Sequence, residues 1–322
     1  MSTWLLRLLS HVHQVPRKEV AALLANTYGG YLASRADPAW GARTAAELDE
    51  SLKEMLRLGL LEEEGDRVQL TLLGRACGKS SISFQSCMRL VDVLRFVGTH
   101  QLNGEALMAL VQVLRESDSG YTPMMRRGTA ENVRSSQAAA RYGMHIPQVL
   151  QRFAEDNFDW LARCKRASIL WDWVNGVPAE TIEHDYSPNP YQGTVALGDI
   201  VKFADTTRFH LRSAYEIASV MMIQGCPDDA SLDELLRRLQ VGIPATLLDL
   251  LVLPVPLSRG AYLALQRYGI VNRAQLSAMP EAKVAEIIGE DMAAALAKAH
   301  CLAPSTAVDE QVPAQVAAGN EP

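Results

Sequence analysis

The stretch Gly198–Met222, GDIVKFADTTRFHLRSAYEIASVMM, limits what this chain can fold into more than any other part of it. No proline or internal glycine interrupts it before Gly225 and Pro227, so once a helix starts there nothing in the sequence stops it. Asp199 is placed to cap the N-terminus, because a carboxylate oxygen can accept the amide hydrogens that a first turn leaves unpaired. At 3.6 residues per turn, Lys202, Thr206, Phe209 and Ser213 fall on one face. Neighbouring faces carry Ile200, Phe203, Ala204, Leu211, Ile217 and Ala218, enough apolar surface to pack over the whole length. The face with Lys202 and Phe209 has two readings. One is the solvated edge of a packed helix. The other is contact with a single nucleic-acid strand, in which the ammonium meets a phosphate and the ring stacks on a base.

Composition narrows the setting of this helix. With 322 residues, 48% of them hydrophobic, the chain can build two or three small domains with cores of their own. It is rich in Ala, Leu, Arg and Glu, which favours helix. Cys77, Cys87, Cys164, Cys226 and Cys301 are odd in number and never in CxxC spacing, which points to a reducing compartment and away from a disulfide framework or zinc site. The opening MSTWLLRLLSHVHQVP is too short and too amphipathic for a signal peptide, and no apolar run approaches a membrane span. The expectation is a cytoplasmic protein with no membrane partner. A formal net charge of −6 counts against binding nucleic acid through a general positive field, but not against a local basic channel.

Taken in order, residues 1–78 predict helices from Trp4 to about Val12, from Pro16 onward, and from Ala45 to Leu58. Gly29-Gly30 reads as a break and ADPAWGART as a loop. Leu60-Leu61 and Val68–Thr71, either side of Gly65-Asp66, predict a hairpin. Helices followed by one small hairpin are a winged-helix pattern, although the third helix, reading DESLKEM, is too acidic to suit a major groove. GRACGKS at Gly74–Ser80 is one residue short of a P-loop, has no buried strand before it, and is read as the end of the winged helix. Residues 79–225 predict a helical bundle, with clean apolar spacing over Phe84–Phe96, Gly104–Arg115 and Asn157–Val174, weaker spacing over Ala130–Leu150, and a short helix from Pro178. Between Pro123 and Leu170, Arg126, Arg127, Arg134, Arg141, Arg152, Arg163, Lys165 and Arg166 outnumber four acidic residues, a candidate phosphate-facing wall. Residues 226–302 predict short helices joined by tight turns, a helix-hairpin-helix pattern, and residues 303–322 a disordered tail.

In that order the pattern resembles the C-terminal region of superkiller-like superfamily 2 DNA helicases, the group of the archaeal fork-repair helicase and the helicase part of polymerase theta. The resemblance is carried by LTLLGRACGKSSISFQSCMRLVDVL entering the bundle, ILWDWVNGVPAETIEHDYSP before the long helix, GDIVKFADTTRFHL at its start, and LLRRLQVGIPATLLDLLVLP beyond it. It spans about residues 3–300 and implies a mainly α fold: winged helix, multi-helix bundle with a long ratchet helix, then a helix-hairpin-helix domain. It also implies that Lys202 and Phe209 meet a translocating single strand. Lys stands for the family's usual Arg and Phe for its usual Trp, a point charge for a planar fork and a smaller ring. Arg208 and Arg212 flank them. In the terminal domain, Pro254-Val255-Pro256-Leu257-Ser258 stands where the family has a glycine turn, and Pro256 lacks a donor for phosphate.

The functional expectation is a non-motor accessory region that contacts single-stranded DNA and supports ATP-dependent unwinding by RecA-like motor domains in the same or a separate chain. The alternative is a non-catalytic interaction or adaptor module that docks on a separate helicase or repair protein. The expected nucleic-acid contacts are Lys202, Phe209, Arg208, Arg212, Arg126, Arg127, Arg163, Lys165 and Arg166. ATP and magnesium are expected only at a motor. The seven histidines show no HExxH-like spacing, no Walker motif is present, and no catalytic constellation appears.

Overall fold

In the computed structural model, which describes residues 1–98, 102–125, 128–223 and 225–302, helix takes up 69% of the chain and sheet very little. The mainly α expectation holds. The described residues form two units, Met1–Ala245 and the segment from Thr246 on.

The first unit begins with α1 (Ser2–Ser10), α2 (Val20–Ala25), α3 (Tyr28–Ala36) and α4 (Trp40–Arg57). Gly29-Gly30 does not break the chain: Thr27 caps α3 by accepting from the Gly30 amide at 3.1 Å. A Cβ on Gly30 would lie 2.2 Å from the Leu24 carbonyl oxygen, so glycine is there for close approach rather than for a turn. Three strands follow the register Val15↔Val68 and Leu61↔Leu70: β1 (Val15–Pro16), β2 (Leu61–Glu64) and β3 (Arg67–Leu70), in the order β1-β3-β2. The β2–β3 hairpin turns at Gly65, whose φ of 65° suits the first position of a two-residue turn. The two-residue β1 is too short for a period-two pattern to reveal.

Gly74–Lys79 of GRACGKS lie within α5 (Leu72–Lys79), Ser80 is its extended C-cap, and the stretch has no phosphate-loop geometry. Its glycines serve packing. A Cβ on Gly74 would sit 2.0 Å from the Leu60 carbonyl oxygen, and one on Gly78 2.8 Å from that of Leu6.

The bundle comprises α6 (Phe84–Val97), α7 (Gly104–Leu110), α8 (Arg115–Asp118), α9 (Val133–Tyr142), α10 (His145–Arg152), α11 (Asn157–Val174), α12 (Ala179–Tyr186), α13 (Leu197–Val220) and α14 (Asp229–Val241). The helix expected over Gly104–Arg115 ends early, because Leu114 is extended (φ −67°, ψ 143°) and α8 starts afresh. The Ser86 hydroxyl accepts from the Arg115 amide, and the Ser117 hydroxyl donates to the Val111 carbonyl. The break turns Asp118 inward. Helix α11 is buried on almost every side and packs against α7, α9, α10, α12, α13 and α14. Helix α14, expected at the start of the third unit, packs in the bundle. The Trp173 indole donates to the Leu239 carbonyl at 2.9 Å, and Arg238 pairs with Glu105 at 2.7 Å.

A run of 3-10 turns over Ala245–Val252 leads into the second unit. The unit continues through α15 (Arg259–Arg267), α16 (Arg273–Ser277), α17 (Glu281–Ile288) and α18 (Glu290–Lys298). Ser258 caps α15 and Asn272 caps α16, while Gly289 (φ 91°) turns α17 into α18. Asp249 accepts from the Arg273 amide and pairs with its guanidinium at 2.9 Å. The expected tail, 303–322, lies outside the described residues.

Candidate nucleic-acid interface

Helix α13 starts at Leu197, so Asp199 is not the residue that precedes the helix. It sits in the first turn and accepts from the Ala196 amide at 3.0 Å, which still satisfies an end group and sets a negative charge at the positive end of the helix dipole. Ile200, Phe203, Ala204, Leu211, Ile217 and Ala218 are buried. Of the four residues on the expected polar face, Lys202 and Phe209 are exposed and Thr206 half-buried, but Ser213 is buried, its hydroxyl accepting from the Ser81 amide at 3.1 Å. The exposed edge therefore spans two turns, not three.

Phe209 is 66% exposed although the next residue on the helix, His210, is buried. It lies in a shallow groove of about 740 Å³ between α13 and α14, with Arg208 and Arg212 on one wall and Arg237 and Gln240 on the other. Arg212 reaches across to Asp233, and Arg208 pairs with Asp205 at 3.5 Å. Arg237 is exposed and lines the same groove. Neither Arg237 nor Gln240 was picked out from the sequence. The signal was available, since Asp233, Leu236, Arg237 and Gln240 fall at i, i+3, i+4 and i+7 on α14. Two turns back, Lys202 and Thr206 line a smaller recess of about 230 Å³ with Ser117, Ser119 and Gly120. The ring of His210 lies edge-on to Phe209 at 5.0 Å centroid separation, and burial pulls its pKa below the usual imidazole value.

The expected basic wall is corrected. Arg163 and Lys165 are 0% exposed and Arg166 is 3% exposed. Asp118 binds Arg163 at 2.6 Å and Arg166 at 2.9 Å, with Arg89 on the same carboxylate at 3.2 Å. Arg166 also donates to Gln112, whose amide donates to Thr207 of α13 at 2.9 Å. Lys165 pairs with Glu131 at 3.2 Å and donates to the Pro123 carbonyl, and burial pulls its pKa down to about 8. Arg134 pairs with the same Glu131 at 2.7 Å, and Arg141 with Asp172 at 2.6 Å. A phosphate cannot reach guanidiniums that face inward and are already bonded to carboxylates. In sequence they are basic residues on a helix. Which way each points depends on α11 being central, and on carboxylates far away in the chain. Arg126 and Arg127 lie outside the described residues. Among the described residues no cluster of His, Cys, Asp or Glu could hold a metal ion, and no helix is long and apolar enough to cross a membrane.

Residues 108–242 match the family described as archaeal helicase, domain 4, and the match ends at Gly242, the left-handed cap of α14 (φ 78°). The resemblance to the C-terminal region of superfamily 2 helicases stands. Over 241 residues the chain is also 22% identical to the ATP-dependent DNA helicase Hel308 of Caldivirga maquilingensis, a stretch covering 73% of this chain and 30% of that protein. The chain thus spans less than a third of the length of this relative.

Proposed function

We propose that this chain is a non-motor accessory region of a superfamily 2 DNA helicase, which holds single-stranded DNA along α13 while RecA-like motor domains, in the same or a separate chain, hydrolyse ATP with magnesium and drive unwinding. In this reading Met1 to about Lys79 is a winged helix, α13 is the ratchet helix, and the unit from Thr246 is a helix-hairpin-helix domain, at work in the cytoplasm in DNA repair. The observation that carries the proposal is the solvent-exposed Phe209 ring, in a groove with three arginines and two turns from Lys202. The ring stacks a base, Lys202 takes a phosphate, and Arg208, Arg212 and Arg237 supply the electrostatic funnel. Arg166 acts indirectly, by fixing α11 against α13 through Gln112 and Thr207, while Arg163 and Lys165 hold the bundle interior through Asp118 and Glu131.

The test is fluorescence anisotropy with a labelled single-stranded oligonucleotide across a salt series. Phe209→Ala is expected to lose about 1–3 kcal/mol of binding, the worth of one base stack. Lys202→Ala is expected to flatten the salt slope by about one phosphate. Equal binding by wild type and both variants would sink the strand-contact reading. Absence of binding by all three would leave the adaptor reading, which the inward-facing cations and the net acidity favour.

A further inference from the structure

A cavity of about 640 Å³ opens between the segment after α8, the first turn of α11 and the loop between α12 and α13. Its floor is apolar: Met124, Phe158 and Ala162, part of a small cluster with Leu161 and Trp160. Two of the residues lining it, Tyr121 and Tyr191, are 69% and 92% exposed. The loops that carry them are tied down. The buried ammonium of Lys165 donates to the Pro123 carbonyl on one loop and, at 3.4 Å, to the Gly193 carbonyl on the other. The Asn189 side chain accepts from the Tyr191 and Gln192 amides at 2.8 and 2.7 Å and donates to the Met125 sulfur at 3.1 Å. Two aromatic faces, fixed in place and left to solvent, form a stacking platform that the fold does not use for packing. The polar lining narrows the ligand. Asp118 is already bound to Arg89, Arg163 and Arg166, and the Thr122 hydroxyl accepts from Arg166 at 2.8 Å. Asp159 differs: it is half-buried, and among the described residues nothing donates to its carboxylate. Burial, with Asp156 and Asp118 nearby, pushes its pKa up. A carboxylate so placed gains from N–H donors and repels phosphate. The cavity also adjoins the strand-contact edge, since Gly120 and Arg166 line both it and the recess of Lys202 and Thr206.

We propose that this cavity takes one nucleobase of the strand whose phosphate lies on Lys202, stacked on Tyr121 or Tyr191 and read by Asp159 at its Watson–Crick edge. The proposal rests on the strand-contact reading of α13 and adds to it a base preference. Guanine suits the site best, because its ring N–H and its amino group present two parallel donors to one carboxylate. Cytosine and adenine offer an amino group beside a ring nitrogen that repels the carboxylate. Thymine offers one N–H between two carbonyls. Stacking is tolerant of sequence, since every base has a π face, so the selectivity comes from Asp159.

The probes are short fluorescein-labelled DNA strands titrated with the full chain in an anisotropy assay: all thymine, thymine with one central guanine, and the same strand with hypoxanthine or an abasic site in place of the guanine. The guanine strand is expected to bind about fivefold or more tightly than the thymine strand. Hypoxanthine, which lacks the amino group, is expected to keep only part of that gain, and the abasic strand none. Asp159→Asn is expected to remove the guanine preference and leave thymine-strand binding unchanged. Replacing both Tyr121 and Tyr191 by Ala is expected to weaken the guanine strand by about fivefold or more. Circular dichroism and urea midpoints check that the variants fold, and the two tyrosines are exposed enough that their loss leaves the core intact. If α13 holds no strand, the thymine strand fails to bind, or binds Phe209→Ala as it binds wild type, and both readings fall. If thymine binding depends on Phe209 but guanine and thymine strands bind alike, or a folded Asp159→Asn protein keeps the full preference, the cavity proposal alone is overturned.

Discussion

Replacing Asp118 by Asn tests the claim that the basic residues of α11 belong to the interior. The substitution keeps size and shape and removes one charge. It leaves Arg163 and Arg166, with side chains 0% and 4% exposed, facing an amide in place of a carboxylate. Removing one partner of a buried ion pair costs about 3–5 kcal/mol, most of it from the charge left behind. Asp118 itself is 23% exposed, so water can offset part of the loss, and the lower end, about 3 kcal/mol, is expected. Urea unfolding followed by circular dichroism reads this directly. With a slope of about 3 kcal/mol per molar, the midpoint falls by about 1 M. Adding Arg163→Met in the Asp118→Asn background removes one stranded cation and is expected to recover part of the loss, since a hydrophobic side chain of similar length fills the same space. A loss under about 1 kcal/mol, the range of an exposed pair, would refute the reasoning, as would a double variant less stable than Asp118→Asn alone.

Three further outcomes follow from named contacts. Burial pulls the folded pKa of Lys165 down to about 8 from the ordinary lysine value of 10.5. The unfolded chain therefore binds more protons between those values, and stability gains from this group as pH rises through that window. Lys165→Met is expected to be less sensitive to pH than wild type between about pH 8 and 9.5 in urea titrations, and parallel curves would count against it. Gly74→Ala forces a methyl group against the Leu60 carbonyl oxygen, and a loss of about 1–3 kcal/mol is expected from the thermal midpoint. Phe209→Ala, at an exposed site, is expected to change stability by no more than about 0.5 kcal/mol, so any loss of strand binding is not a folding defect.

The long helix, the central helix Asn157–Val174, the Gly65-Asp66 hairpin and the absence of a P-loop were all legible in the sequence, because each rests on local spacing or on turn residues. So was the Lys202–Phe209 edge, since two positions seven apart must share a face once the helix exists. The two-residue strand at Val15, the break at Leu114 and the helical role of Gly29-Gly30 were not. Each is imposed by a contact from elsewhere: Val68, Ser86 and the Leu24 carbonyl respectively. What the sequence alone determined is the order of helices and where the exposed edge begins. Which charges face solvent was decided only by tertiary structure. A helix buried on almost every side carries its cations inward wherever Asp118 and Glu131 can neutralise them, and no local pattern records a carboxylate more than thirty residues away.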